Sequence, residues 1–366
     1  MSRFPDFDYA ARIGATRDLM AETGCGAVML SVGADLPYFT GYEAMPLERL
    51  TMLVVPVEAD AVLVVPQLEA PRVDPSDAFD VRAWGETEDP VAIVAGLAAS
   101  TETVALGDTT WSTFLLGLQA AMPGTRFEDA SPLTRELRMR KEPEEIRYLR
   151  QAAEATDRVV SRLESIRFSG RSEADLAAAI GVMTVEEGHD VATFAIVASG
   201  PNSASPHHEP TDREIESGDT VVVDFGGRHR GYCSDTTRTF SVGEPIPQVA
   251  HAYDVLAAAQ AAGRAAIAPG VTAASVDEAT RLVIEEAGHG ERFIHRTGHG
   301  IGLEVHEHPY IVEGNRLLLE EGMPFSIEPG IYMPGEWGMR IEDIVVCGES
   351  GVDELNRSER HLRVVE

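Results

Sequence analysis

The chain has 366 residues, 44% of them hydrophobic and 25% charged, which is ordinary for a soluble globular protein and long enough that two domains are expected. Sixty acidic residues against 30 basic ones give a formal net charge of −30, which argues against nucleic-acid backbones and anionic membranes, since both select basic patches. Cys25, Cys233 and Cys347 form no disulfide framework, Met1–Asp8 lacks the apolar core of a signal peptide, and no apolar run approaches the ~20 residues of a membrane span, so a cytoplasmic location is expected.

Residues 9–24 have helical spacing and stop at Gly24-Cys25-Gly26. Short apolar runs at 27–31, 52–57 and 61–66 predict strands, the last two joined through Glu58-Ala59-Asp60 as a hairpin or tight connection. Residues 91–99 and 112–121 predict helices, and 104–106 a strand. The charged, proline-bearing stretch Arg140-Lys141-Glu142-Pro143 marks a boundary, giving domains 1–140 and 141–366. Beyond it, helices are expected at 144–166, 172–187, 247–268 and 275–287, and strands at 221–224, 236–240, 323–327 and 339–346. Helices followed by a carboxylate-bearing strand pair occur twice, the echo an internal duplication would leave.

Five residues carry most of the chemistry. Asp224 closes the strand Val221-Val222-Val223, where a carboxylate after buried valines is costly without a partner. Asp235 follows after Gly226, Gly227 and Gly231, which let the chain reverse and bring the two aspartates together on antiparallel strands. His299 lies between Gly298 and Gly300, whose freedom in φ should give the imidazole close access to a metal. Glu328 ends an apolar strand before Pro329-Gly330. Glu342 lies in Met339–Val346, where strand alternation puts Arg340 on its face and Ile341 and Asp343 on the other. Two like charges about 4 Å apart repel by roughly 4 kcal/mol at an effective dielectric near 20, so four crowded carboxylates call for cations. Two divalent ions balance them formally. An oxygen-rich set with one nitrogen suits Mn²⁺, with Co²⁺ or Zn²⁺ also fitting.

The stretches Ser199-Gly200-Pro201-Asn202-Ser203, Pro206-His207-His208, Asp224-Phe225-Gly226, Ser234-Asp235-Thr236-Thr237-Arg238-Thr239, Gly298–Glu307, Ser326–Tyr332 and Arg340-Ile341-Glu342-Asp343 together resemble the motif set of the pita-bread metallopeptidases. Within that family the likeness is to the Xaa-Pro dipeptidases (prolidases) and aminopeptidases P, strong over 141–366 and limited to length and broad pattern over 1–140. It implies an α/β (α+β) fold, with a creatinase-like N-terminal domain and a pita-bread catalytic domain. It also implies that Asp224 binds one metal, Asp235 bridges both, His299 binds the other, and Glu328 and Glu342 contact the cluster. Creatinase shares the fold with these ligands replaced; all five are kept here.

The same resemblance points to His306 as donor to the scissile carbonyl oxygen, His295 as support on the opposite side and His207, rather than His208, as a substrate contact. Arg340 is expected to hold Glu328 or Glu342 and a substrate carboxylate, or else to neutralise the neighbourhood of Asp235. Tyr332 would add a phenol. Cys233 should share Asp235's face as packing, without a base to activate it. His189, His229, His251, His289, His308 and His361 are taken as surface or structural.

The expected reaction is hydrolysis of the Xaa-Pro bond by a metal-activated water, with Glu328 carrying a proton to the proline nitrogen and His306 stabilising the oxyanion. Aminopeptidase P activity on longer peptides is the alternative within the family. A non-catalytic peptide-binding module and C–N hydrolysis of a small non-peptide are the alternatives outside it. An Xaa-Pro peptide is the expected partner, and a homodimer the expected assembly.

Overall fold

The computed structural model describes residues 4–99 and 101–366, so the start of the Met1–Asp8 stretch lies outside it. The chain divides into two compact units, Met1–Arg138 and Met139–Glu366.

In the first unit α1 (Tyr9–Thr23) begins where the Asp8 side chain accepts from the Ala11 N–H, and it stops at Gly24, whose left-handed φ of 71° suits a residue without Cβ. Then come β1 (Ala27–Leu30), α2 (Asp35–Thr40), β2 (Met52–Pro56), β3 (Val62–Pro66), β4 (Asp80–Trp84), α3 (Pro90–Leu97), β5 (Thr103–Leu106), α4 (Ser112–Ala121), β6 (Arg126–Asp129) and α5 (Ser131–Met139). The sheet order is β4-β3-β2-β1-β5-β6, with β1, β2 and β3 antiparallel to their neighbours in that trio and the other pairings parallel. β1 lies mid-sheet and is buried at every position, so its sequence is an unbroken apolar run. Edge strands β4 and β6 are mostly exposed or half-buried and carry no such run, which is why they are silent in the sequence.

In the second unit α6 (Pro143–Leu163) starts with Pro143 in its first turn and with the Glu142 N–H donating to the Glu145 carboxylate. α7 (Glu173–Glu186) leads into β7 (Val191–Ser199), β8 (Thr220–His229), β9 (Tyr232–Cys233) and β10 (Thr236–Val242). α8 (Pro247–Ala265) and α9 (Ala273–Glu286) lead into β11 (Gly298–Gly300), β12 (Glu307–Ile311), β13 (Pro324–Ile327), β14 (Gly330–Met333), β15 (Trp337–Arg340), β16 (Asp343–Gly348), β17 (Gly351–Glu354) and β18 (Arg363–Val365). The sheets run β18-β10-β8-β7, with β9 on β8, then β12-β11-β13-β16-β17, and the hairpin β14-β15.

The two halves of this unit repeat in their backbone bonds. Gly170 N–H donates to Ile215 O, Glu173 N–H to Arg213 O and Ala174 N–H to Thr211 O. Gly270 donates to Leu319, Ala273 to Leu317 and Ala274 to Asn315 in the same pattern. Gly170 and Gly270 have φ of 83° and 85°, and Ser172 and Thr272 cap the helices that follow. The echo in the sequence is therefore a structural repeat.

One expected element differs. Residues 339–346 are two strands: β15 pairs with β14, β16 pairs with β13, and the chain crosses between sheets at Ile341-Glu342. Glu342 itself donates its N–H to Thr237 O at 3.1 Å, so the break aims its side chain beside β10.

Candidate active site

Asp224 lies in β8 opposite Thr237 of β10, and Asp235 immediately precedes β10. His299 is the middle residue of β11, Glu328 follows β13, and Glu342 occupies the crossing between β15 and β16. All five line one cavity of about 320 Å³, together with Pro206, His207, His295, Arg296, His306 and Arg340. His299 Nε2 stands 3.3 Å from Glu328 Oε1, 3.6 Å from Asp235 Oδ2 and 3.8 Å from Glu342 Oε1. One oxygen from each of Asp224, Asp235 and Glu342 lies within 4.8 Å of the others, as do donor atoms of Asp235, His299 and His306.

The glycines flanking His299 serve a different purpose from the expected one. Neither takes a positive φ. A Cβ on Gly298 would stand 1.8 Å from Ser326 O, and one on Gly300 would stand 2.1 Å from His308 O. They let β11 press between β12 and β13, so close strand approach, rather than unusual φ, brings the imidazole to the carboxylates. Ser326 Oγ accepts from the His299 N–H at 3.0 Å and donates to Glu328 at 3.2 Å, tying two of the five together.

Protein atoms compensate this cluster only in part, through Arg340 on Asp224 and Thr237 on Glu342. Among the described residues, Asp224 Oδ1, Asp235 Oδ1 and Glu342 Oε1 are buried without a hydrogen-bond partner, a costly arrangement unless a cation meets them. Burial, then Glu342 and Asp224, push the Asp235 carboxyl well above its usual range, and burial, then Glu328 and Asp224, do the same to Glu342. Burial raises Glu328 to about 7 although Arg340 pulls it down. Burial and the neighbouring His306 lower His299 to about 3, so its ring is neutral, the form that ligates metals. Its Nδ1 lies 3.1 Å from Gly300 O, which fixes Nε2 as the free lone pair toward the carboxylates. Oxygen-rich, with one imidazole and three orphaned oxygens, the donor set fits divalent cations.

Arg340 engages a different carboxylate from those expected. Nη2 donates to Asp224 Oδ2 at 2.6 Å, Nη1 to Tyr332 Oη at 2.8 Å and to Pro206 O at 3.3 Å, and Nε to Thr237 Oγ1 at 3.1 Å. The other face of the crossing holds Asp343, which pairs with Arg238 behind the site. His295 Nε2 lies 3.0 Å from Tyr332 Oη, and burial followed by Arg340 lowers its pKa to about 4. The His306 ring packs edge-on against His299 at 4.1 Å between centroids. His208 turns away from the cavity to Glu173, at 2.9 Å. Cys233 is buried, its thiol against Leu303 O at 3.6 Å and raised to about 12 chiefly by burial, which keeps it a thiol.

Three residues of the site lie outside the set expected from the sequence. Thr237 Oγ1 donates to Glu342 Oε2 at 2.7 Å, and its place in Asp235-Thr236-Thr237, two residues from a candidate ligand on a strand, is the available signal. Ser326, two residues before Glu328, carried the same signal. Arg296 lines the cavity with its guanidinium over the Tyr310 ring at 4.5 Å, and nothing in the chain order marks it out.

Residues 147–349 match the metallopeptidase family M24, and residues 12–140 match the Creatinase/Prolidase N-terminal domain. The chain belongs to metallopeptidase family M24. It is an enzyme, a peptidase, with mixed α/β architecture in which a creatinase-type N-terminal domain precedes the catalytic domain. The M24 peptidase is 46% identical to the dipeptidase PepE of Mycobacterium ulcerans, whose crystal structure it matches with a TM-score of 0.93 over 99% of this chain and 100% of that one. It matches the prolidase of Thermococcus sibiricus with a TM-score of 0.94 at 37% identity, over 99% and 100% of the two chains. It is 38% identical to the Xaa-Pro dipeptidase of Lactobacillus helveticus, covering 90% of this chain and 92% of that one. Among the described residues no helix is long and apolar enough to cross a membrane.

Proposed function

We propose that this M24 peptidase is a dipeptidase that hydrolyses the peptide bond before proline, using two divalent ions held by Asp224, Asp235, His299, Glu328 and Glu342. The observation that carries the reading is the set of three orphaned carboxylate oxygens beside a neutral imidazole in a cavity of about 320 Å³, at the small end of ligand sites and suited to a dipeptide. End-to-end similarity to proteins named Xaa-Pro dipeptidase supports the choice of bond.

Divalent ions bound there supply Lewis acidity and a water of lowered pKa. Mn²⁺ is our expected ion on donor chemistry. The leaving nitrogen of proline is a tertiary amide with no N–H, so it must gain a proton as the bond breaks. Glu328, on the cavity wall and fixed by Ser326, is the carboxylate we assign to carry it. His306 donates to the oxygen of the attacked carbonyl, and His207 holds the substrate from the opposite loop. His295 orients Tyr332, whose hydroxyl in turn accepts from Arg340. Arg340 is the cation we assign to the substrate carboxylate, while its bond to Asp224 fixes the metal-side carboxylate. Three free, buried cysteines suit a reducing compartment, and we place the enzyme in the cytoplasm as a homodimer.

The test is hydrolysis of Ala-Pro and Ala-Pro-Ala side by side with added Mn²⁺. Cleavage of the dipeptide with little action on the tripeptide is the expected outcome. Strong cleavage of the tripeptide would make the enzyme an aminopeptidase P, and absence of both activities in the metal-loaded protein would favour a binding module.

A further inference from the structure

Glu173 is the first residue of α7 and is fully buried. Its carboxylate accepts from Ser199 N and Oγ at 2.8 and 2.7 Å, from Asn202 Nδ2 at 3.0 Å, and from Thr211 N and Oγ1 at 3.1 and 2.7 Å. His208 Nε2 lies 2.9 Å away. Every one of these partners belongs to the end of β7 or to the loop that follows it. Burial alone would raise the pKa of Glu173, but the bonds from Ser199, Thr211 and His208 outweigh it and lower the group to about 2, so the grip is that of a full carboxylate.

The front of the same loop faces the cavity. Pro206 and His207 line it, Pro206 O accepts from Arg340, and Ser203 Oγ accepts from the Gly338 N–H at 2.7 Å. Among the described residues His207 has no hydrogen-bond partner of its own, so its place is set by the backbone that carries it. Adjacent histidines point opposite ways: His207 into the cavity, His208 into Glu173.

We propose that Glu173 is a positioning residue for His207, holding the loop at Ser199, Asn202, His208 and Thr211 so that the imidazole is presented to substrate. The inference rests on the proposed function, in which His207 contacts the peptide. The second half of the repeat has a counterpart. Asp277 of α9 is buried and accepts from Thr297 N and Oγ1 at 3.1 and 2.7 Å, two residues before His299. Each half thus uses one buried helix carboxylate to fasten a segment carrying an active-site histidine.

The test is a double-mutant cycle on Ala-Pro hydrolysis with Mn²⁺, using wild type, Glu173→Gln, His207→Ala and the double variant, with bound metal measured on each. Glu173→Gln should lower kcat/KM about 10-fold or more, chiefly through KM, at wild-type metal content. The double variant should fall within about twofold of His207→Ala alone, because both changes remove one contribution. Thr211→Val, which deletes a single bond to Glu173, should show a smaller loss in the same parameter, and it replaces Glu173→Gln in the cycle if that variant does not fold. Multiplicative losses, metal loss in step with activity, or an unchanged kcat/KM would overturn the inference. If wild type cleaves Ala-Pro and only His207→Ala is impaired, the inference alone fails; if wild type leaves Ala-Pro intact, the proposed function fails and takes the inference with it.

Discussion

Replacing Glu342 by Gln keeps the side chain's shape and an acceptor for the Thr237 hydroxyl, but removes one negative charge from the cluster. At the 4.8 Å limit separating the oxygens of Asp224, Asp235 and Glu342, each ionised pair repels by roughly 3.5 kcal/mol at an effective dielectric near 20. Glu342 belongs to two such pairs and forms a third with Glu328 within the same limit, and Arg340 offsets part of that repulsion. Proton uptake caps the cost, since a carboxyl kept neutral at pH 7 sacrifices at most about 3.7 kcal/mol against an ordinary value near 4.3. The metal-free variant should therefore be more stable than metal-free wild type by about 1–3 kcal/mol at pH 7. That corresponds to roughly 3–9 °C in Tm for a domain of a couple of hundred residues. A raised carboxyl pKa destabilises the fold only as pH climbs above the unfolded value, so the difference should vanish near pH 4. Saturating Mn²⁺ should reverse the order, since an ion at 100 times its Kd adds about 2.7 kcal/mol per intact site. Calorimetry of both proteins, chelated and metal-loaded, reads all of this. A chelated variant less stable than chelated wild type would refute the reasoning, as would an equal gain from Mn²⁺ in both.

Other outcomes follow from the same geometry. Glu328 near 7, with Asp235 and Glu342 also raised, requires protons to leave as metal binds, so Mn²⁺ affinity should climb with pH through 7 by up to roughly tenfold per unit for each proton displaced. Titration calorimetry in buffers of different ionisation enthalpy would show the protons, and a Kd constant from pH 6 to 8 would count against it. His306→Ala should keep its bound metal yet lose about 10²–10³ in kcat/KM, read by Ala-Pro hydrolysis alongside metal analysis. Gly298→Ala drives a Cβ to 1.8 Å from Ser326 O and should cost about 3 kcal/mol or more in thermal melts. Gly14→Ala, inside α1, meets no described atom within 4 Å beyond its own stretch of helix and should instead stabilise by about 0.5–1 kcal/mol.

What was legible in the sequence was whatever a run of neighbours encodes. Val221-Val222-Val223 announced β8 because the strand is buried along that stretch, and the spacing in 247–268 announced α8 because one face packs inward. Glu342 was visible as a chemical group, but its strand break was not, because Ile341 and Glu342 continue an alternating pattern while the chain changes sheets. β7 escaped notice because its first six positions are exposed or half-buried. Arg340's bond to Asp224 and the bonds of Glu173 join residues far apart in the chain, and no local pattern encodes them. The flanks of His299 show the remaining gap: the glycines were noticed, but their reason, a neighbouring strand at contact distance, exists only once the sheet forms.

Counting bound ions in the purified, Mn²⁺-equilibrated protein by elemental mass spectrometry bears on the whole account. Two per chain are expected for wild type, and one or none for Asp235→Asn. Wild type saturating at one ion or none, or Asp235→Asn still holding two, would contradict a centre built from these five side chains.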